Sequence, residues 1–108
     1  MNRKMWVAAA LALAGALPFT ARAEVDKKIE RLWKGKCAGC HGADGKGQTE
    51  QGKKLGVKDY STPEWQKSQT DEHIKKAIAE GVKGMDGYKD KLLPDQIDGL
   101  VAYVRALK

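Results

Sequence analysis

The chain is 108 residues long, carries 20 Lys and Arg against 14 Asp and Glu, and is 42% hydrophobic. This length suits one small domain and excludes a multidomain enzyme, and the balance of residues is that of a globular protein, not a disordered one. With only 2 Cys and 2 His, a four-cysteine zinc site is excluded within one chain, and a site of two cysteines and two histidines would use every such residue.

Residues 1–23 have the layout of a secretory signal peptide. Arg3 and Lys4 precede an apolar run of 13 residues from Met5 to Leu17, Pro18 breaks the run, and Ala21-Arg22-Ala23 matches a small-residue cleavage site. The alternative is a retained anchor, but 13 helical residues at about 1.5 Å each reach only ~20 Å of a ~30 Å hydrocarbon core. Cleavage after Ala23 is therefore expected, leaving one domain, residues 24–108, with no membrane span and a periplasmic address. Arg3, Lys4 and Arg22 leave with the signal, so the remaining 85 residues carry 17 Lys and Arg against 14 acidic residues, a net +3. Nucleic-acid binding is not expected of an exported chain at that charge.

Three helices are predicted in the remainder. Over residues 25–41, Ile29, Leu32, Trp33 and Cys37 recur on one stripe. Over residues 70–80, Thr70 is a plausible N-cap, Asp71 and Glu72 suit the positive end of the helix dipole, Ile74, Ala77 and Ile78 share a face, and Gly81 is a natural stop. Over residues 94–107, Pro94 suits the first turn, and Ile97, Leu100, Val101, Val104 and Leu107 make a buried face. Between the first two lies a polar stretch punctuated by Gly42, Gly45, Gly47, Gly52 and Gly56, with a short helical turn expected near residues 63–68. A second loop, residues 82–93, carries Gly84, Met85 and Gly87. Nothing alternates like a strand. Long loops in so small a domain are usually functional, and here they are expected to wrap a ligand. Few aromatics remain to build a core, namely Trp33, Tyr60, Trp65, Tyr88 and Tyr103, so a cofactor is expected to fill the centre.

Cys37-Ala38-Gly39-Cys40-His41 is the c-type haem attachment signature. Positions i, i+3 and i+4 share one helix face. Two thiols there can form thioethers with the two haem vinyl groups, and the imidazole of His41 then meets the iron from the same side. A thioredoxin-type redox pair needs strands that the pattern lacks, zinc has too few ligands at the usual spacing, and a structural disulfide leaves His41 and the glycine loops unexplained. For the iron's other face the residues leave two candidates, Met85 and His73. His73 reads as a solvated residue of a helix first turn, while Met85 sits between glycines that let the backbone aim it.

Taken together, Cys37-Ala38-Gly39-Cys40-His41-Gly42, Gly84-Met85 and the closing Leu100-Val101-Ala102-Tyr103-Val104 resemble a class I cytochrome c, the small monohaem bacterial kind, over essentially all of residues 24–108. The resemblance implies an all-α fold with crossing N- and C-terminal helices and long loops around one covalent haem c. It implies Cys37 and Cys40 as thioether donors, and His41 and Met85 as axial ligands of the iron. It further implies Trp33 and Tyr103 packed at the helix crossing beside the haem, and Leu55 against the ring. There are departures. Ile29 stands where a small residue is usual, which argues against very close helix contact. Asp86 follows Met85 where proline is common, which argues for a less rigid loop. No proline precedes Leu55, so a backbone carbonyl near residues 52–56 is expected to orient His41.

With both axial positions filled, the expected function is one-electron carriage between redox proteins, by a monomer and without catalysis. Lys34, Lys36, Lys46, Lys53, Lys54, Lys58, Lys89 and Lys91 are expected near the haem edge, where they would attract an acidic redox partner. The alternatives are a gas- or peroxide-binding haem protein with a labile distal ligand, and a haem subunit of a larger redox complex. Asp44-Gly45-Lys46-Gly47 lacks the phosphate-loop pattern and reads as a turn.

Overall fold

The computed structural model describes residues 19–108. Most of the expected export signal lies outside the described residues. Helix α1 (Phe19–Leu32) already runs through Ala23. It is followed by a π turn (Trp33–Cys37), α2 (Ala38–His41), α3 (Glu50–Leu55), α4 (Pro63–Ser68), α5 (Asp71–Glu80), a two-strand hairpin of β1 (Gly81–Val82) and β2 (Met85–Asp86), and α6 (Pro94–Arg105). The all-α expectation holds, with the small hairpin as its one addition among the described residues.

The helix predicted over residues 25–41 is interrupted. At the π turn the Ala38 N–H reaches back five residues to the Trp33 carbonyl. Such wide turns are rare and gather at functional sites. Lys34, Gly35 and Lys36 on this turn are exposed, so no packing opposes it.

The other two predicted helices form nearly as expected. Thr70 caps α5 by accepting a hydrogen bond from the His73 N–H, and Gly81 ends it. Pro94 opens α6, which buries Ile97, Leu100, Val101 and Val104, while Leu107 beyond its end is half-buried. The short turn predicted near residues 63–68 is α4, capped by Thr62.

Two elements were not foreseen. Helix α3 starts at Thr49, whose hydroxyl accepts from the Gly52 N–H, and stops at Gly56 in the left-handed conformation. The Met85 loop is an antiparallel hairpin with Val82 opposite Met85 and Gly81 opposite Asp86. Gly84, at φ +84°, takes the backbone angle its turn requires.

Among the described residues, the buried apolar ones are Ile29, Trp33, Ile74, Leu92, Ile97, Leu100, Val101 and Val104. Helix α1 packs on α6, and α6 on α5. The contact between α1 and α6 is close, against expectation. Ile29 is indeed large, but the small residue stands on the opposite helix, at Gly99.

Gln66 and Arg105 tie α4 to the end of α6. Gln66 Nε2 donates to the carbonyls of Tyr60 (2.8 Å) and Val104 (2.9 Å). The Arg105 guanidinium donates to the carbonyls of Gln66 (2.6 Å) and Gln69 and to the Asp71 carboxylate (2.7 Å). No helix among the described residues is long and apolar enough to cross a membrane.

Candidate functional site

The Cys37–His41 segment is held by capping its carbonyls, the groups a helix end leaves orphaned. Gly42 N–H donates to the Ala38 carbonyl (2.8 Å), the Thr49 hydroxyl to that of Cys40 (3.0 Å) and Gly47 N–H to that of His41 (2.8 Å). The Trp33 indole N–H closes the set on the Gly42 carbonyl at 2.9 Å. The glycine-rich loop is therefore the cap of the attachment helix, which explains its composition. Asp44-Gly45-Lys46-Gly47 forms the expected turn, with the Asp44 carboxylate accepting from the Lys46 N–H at 3.0 Å.

Cys37, Cys40, His41 and Met85 line one cavity of about 340 Å³, with Leu55 and Tyr88 also on its wall. A second cavity of about 220 Å³ adjoins it and shares Cys37, His41, Tyr60, Met85 and Tyr88; the core residues Trp33, Ile74, Leu92, Leu100 and Val104 also line it. The hydrophobic core thus surrounds a space instead of closing it. Volumes of this order, apolar walls and a few convergent polar groups are the marks of a cofactor pocket.

The chemistry of the donors fits haem. Burial pushes the Cys37 thiol up to about 11, so at neutral pH it is a thiol and not a reactive thiolate. Cys37 and Cys40 are not joined to each other. Burial holds the His41 imidazole below its usual range, which leaves it neutral at pH 7 with a nitrogen lone pair to offer a metal. Among the described residues, no cluster of three or more His, Cys, Asp or Glu could hold a bare metal ion.

His41 is 8% exposed, and among the described residues its Nδ1 has no hydrogen-bond partner. The carbonyl expected near residues 52–56 does not reach it. Gly52 instead packs against the backbone: a Cβ there would lie 2.1 Å from the Cys40 carbonyl oxygen. What lies against the imidazole is aromatic. Tyr60 stacks on it at 5.0 Å between centroids, and Trp33 approaches at 5.7 Å.

The remaining predicted residues divide. Met85 is half-buried and aimed by the hairpin, so Asp86 does not leave it on a loose loop. Trp33 is buried on the cavity wall, and the Tyr103 ring lies tilted against it at 5.2 Å between centroids without itself lining the cavity. Leu55 is 43% exposed at the cavity rim, its Cδ2 3.3 Å from where a Gly84 Cβ would be. His73 is exposed, yet lines the mouth of the smaller cavity with Gln69 and Lys58. Tyr60, Trp65, Tyr88 and Lys83 were not singled out as site residues. Only the aromatic character of the first three marked them beforehand.

A family profile described as cytochrome c oxidase, cbb3-type, subunit III matches residues 24–104. Among solved structures, the KustC0563 c-type cytochrome is similar at a TM-score of 0.69 and 38% identity, covering 73% of this chain and 95% of that one. A tyrosine-to-phenylalanine mutant of Kustc0563 is similar at 0.68 and 37%, covering 74% and 98%. No curated protein matches the chain significantly. A profile that spans the described domain, and a solved c-type cytochrome aligned over nearly its whole length, agree with a cavity lined by two thiols, an imidazole and a thioether. The chain belongs to the family described as cytochrome c oxidase, cbb3-type, subunit III, and is a small c-type cytochrome with covalently bound haem c and a role in haem-based electron transfer.

Proposed function

We propose that this protein is a soluble periplasmic one-electron carrier and not an enzyme. The observation that carries the reading is the convergence of Cys37, Cys40, His41 and Met85 on one cavity wall. Bound haem supplies a reversible one-electron iron couple. Cys37 and Cys40 would anchor it covalently, and His41 and Met85 would serve as its iron ligands, which would leave no site for a substrate. The capped backbone under His41 and the hairpin under Met85 would hold both residues in place between oxidation states, so little would have to reorganise. Trp33, Ile74, Leu92 and Leu100 exclude water from the smaller cavity.

Docking to an acidic redox partner uses the cavity rim. Lys36, Lys58 and Lys83 lie on it and are exposed, beside the exposed apolar residues Leu55 and Val82. Lysines at the rim speed encounter with an acidic surface, an advantage that salt removes. Lys34 is less available, being paired with Glu30 at 2.9 Å.

Absorption spectra of the purified exported protein in both oxidation states test this reading. The expected result is a low-spin haem c with a sulfur-to-iron charge-transfer band when oxidised, and no rapid binding of cyanide or carbon monoxide. Rapid stoichiometric binding would favour a ligand-binding haem protein instead. The family description names an oxidase subunit, which favours one other reading, a haem subunit of a larger assembly. The native mass of the exported holoprotein decides between them: a monomer supports the diffusible carrier.

A further inference from the structure

Outside the two cavities, three cations meet in one place. Lys28 and Arg31 of α1 and Lys36 of the π turn line an open groove of about 370 Å³, together with Leu32, Gly35 and Gln96. The three cations are exposed, while Leu32 and Gln96 are half-buried. The groove lies between the end of α1 and the first turn of α6, where the Gln96 side chain accepts from the Leu93 N–H at 2.8 Å. Leu93 beside it is 67% exposed. Among the described residues, no carboxylate lines the groove. Glu30 of the same helix is engaged with Lys34 instead, at 2.9 Å. Lys28 and Arg31 stand three residues apart, a spacing at which like charges destabilise a helix, and an anion between them would offset that repulsion.

Two further observations concern the π turn. Nothing lies within 4 Å of a Cβ placed on Gly35, so an extended segment can approach the backbone there. Lys36 lines the groove and both cavities, so the groove begins where the cavity rim ends.

We propose that this groove is a second contact for the redox partner: an acidic segment of that protein lies along Lys36, Arg31 and Lys28 while its redox face covers the cavity rim. This rests on the carrier reading above. The Arg31 guanidinium is a planar fork that can take a carboxylate on two parallel bonds, and Lys28 and Lys36 add point charges beside it. A partner held at the rim alone is free to turn about that contact. A second charged contact fixes its register. A bilayer is the poorer occupant, because Leu93 is a single exposed apolar residue and surface insertion needs a broad apolar face.

The test titrates hexaglutamate, standing in for the acidic segment, into nitrogen-15-labelled reduced holoprotein at low salt and follows the backbone amides. Saturable shifts are expected at Lys28, Arg31, Gly35, Lys36 and Gln96. Lys28→Gln with Arg31→Gln is expected to weaken binding about fivefold. Lys67→Gln with Lys76→Gln removes the same charge at exposed positions outside the groove and is expected to leave binding within about twofold. Equal weakening by the two pairs overturns the proposal, because net charge would then be the agent. Shifts confined to Lys58, Lys83 and their neighbours also overturn it and leave docking at the rim standing. Groove shifts with phosphatidylglycerol vesicles but none with hexaglutamate overturn it in favour of a lipid surface. Absorption spectra of the same samples test the carrier reading separately: rapid cyanide binding overturns that reading whatever the peptide does, so the two failures are distinguishable.

Discussion

Ile29 of α1 fills the space that Gly99 of α6 leaves open: a Cβ on Gly99 would lie 2.6 Å from Ile29 Cδ1 and 2.8 Å from its Cγ1. The close approach of the two helices depends on this pairing of a large residue with none. In Gly99→Ala, helix propensity gains about 1 kcal/mol, while overpacking costs about 1–3 kcal/mol. The expected net effect on the holoprotein is a loss of roughly 1 kcal/mol by denaturant melting. In an Ile29→Ala background the same change is expected to turn stabilising, because only the propensity remains. A double-mutant cycle on the two positions reads the coupling directly.

Met85→Ala is expected to abolish the sulfur-to-iron band and open the iron to cyanide. His73→Ala is expected to leave the spectrum unchanged, because His73 is an exposed residue at the cavity mouth. A wild type that lacks the band, and whose spectrum changes in His73→Ala, would instead place the distal ligand on α5.

Gly52→Ala tests the cap beneath the attachment helix. The added carbon meets the Cys40 carbonyl oxygen at 2.1 Å and that of Gly47 at 2.8 Å, both backbone atoms that cannot swing aside. A loss of about 3 kcal/mol is expected, the upper end of overpacking, which for a domain this small lowers Tm on the order of 10 °C or more. Thermal melting of the holoprotein checks it.

Arg105→Ala removes hydrogen bonds to the Gln66 and Gln69 carbonyls along with the Asp71 pair. Charge-assisted bonds of this kind are worth about 1.5–3 kcal/mol, and a loss in that range is expected. Asp71→Ala removes only the exposed carboxylate and is expected to lose under about 1 kcal/mol. Chemical denaturation of the two variants separates the bonds to the chain from the ion pair.

The chain without haem is expected to lack a cooperative melt. Trp33, Ile74, Leu92, Leu100 and Val104, a large part of the buried core, line a space, and so small a domain has little else to bury. Circular dichroism of protein expressed without the haem-attachment machinery is the measurement, and a sharp thermal transition would contradict the expectation.

What was legible in the sequence follows physical causes. Helices α5 and α6 announce themselves by periodic apolar faces, and α5 also by its threonine cap. The attachment helix is legible through the spacing of Cys37, Cys40 and His41. Helix α3 was missed because it offers only Leu55 as an apolar residue, although Thr49, Glu50 and Gly56 mark its ends. The hairpin was missed because strands of two residues are too short to alternate. The contact of Ile29 with Gly99 was misjudged because one helix was read without its partner.

The π turn at Trp33–Cys37 has a consequence for chain length. A wide turn accommodates one surplus residue in a helix while the segments on either side keep their relative facing. Gly35, with nothing within 4 Å of a Cβ placed on it, is the natural surplus. A homologue shorter by one residue at this point would run as an uninterrupted α-helix and still present its cysteines to the same interior, so an alignment gap here is a silent deletion and not a loss of the cofactor.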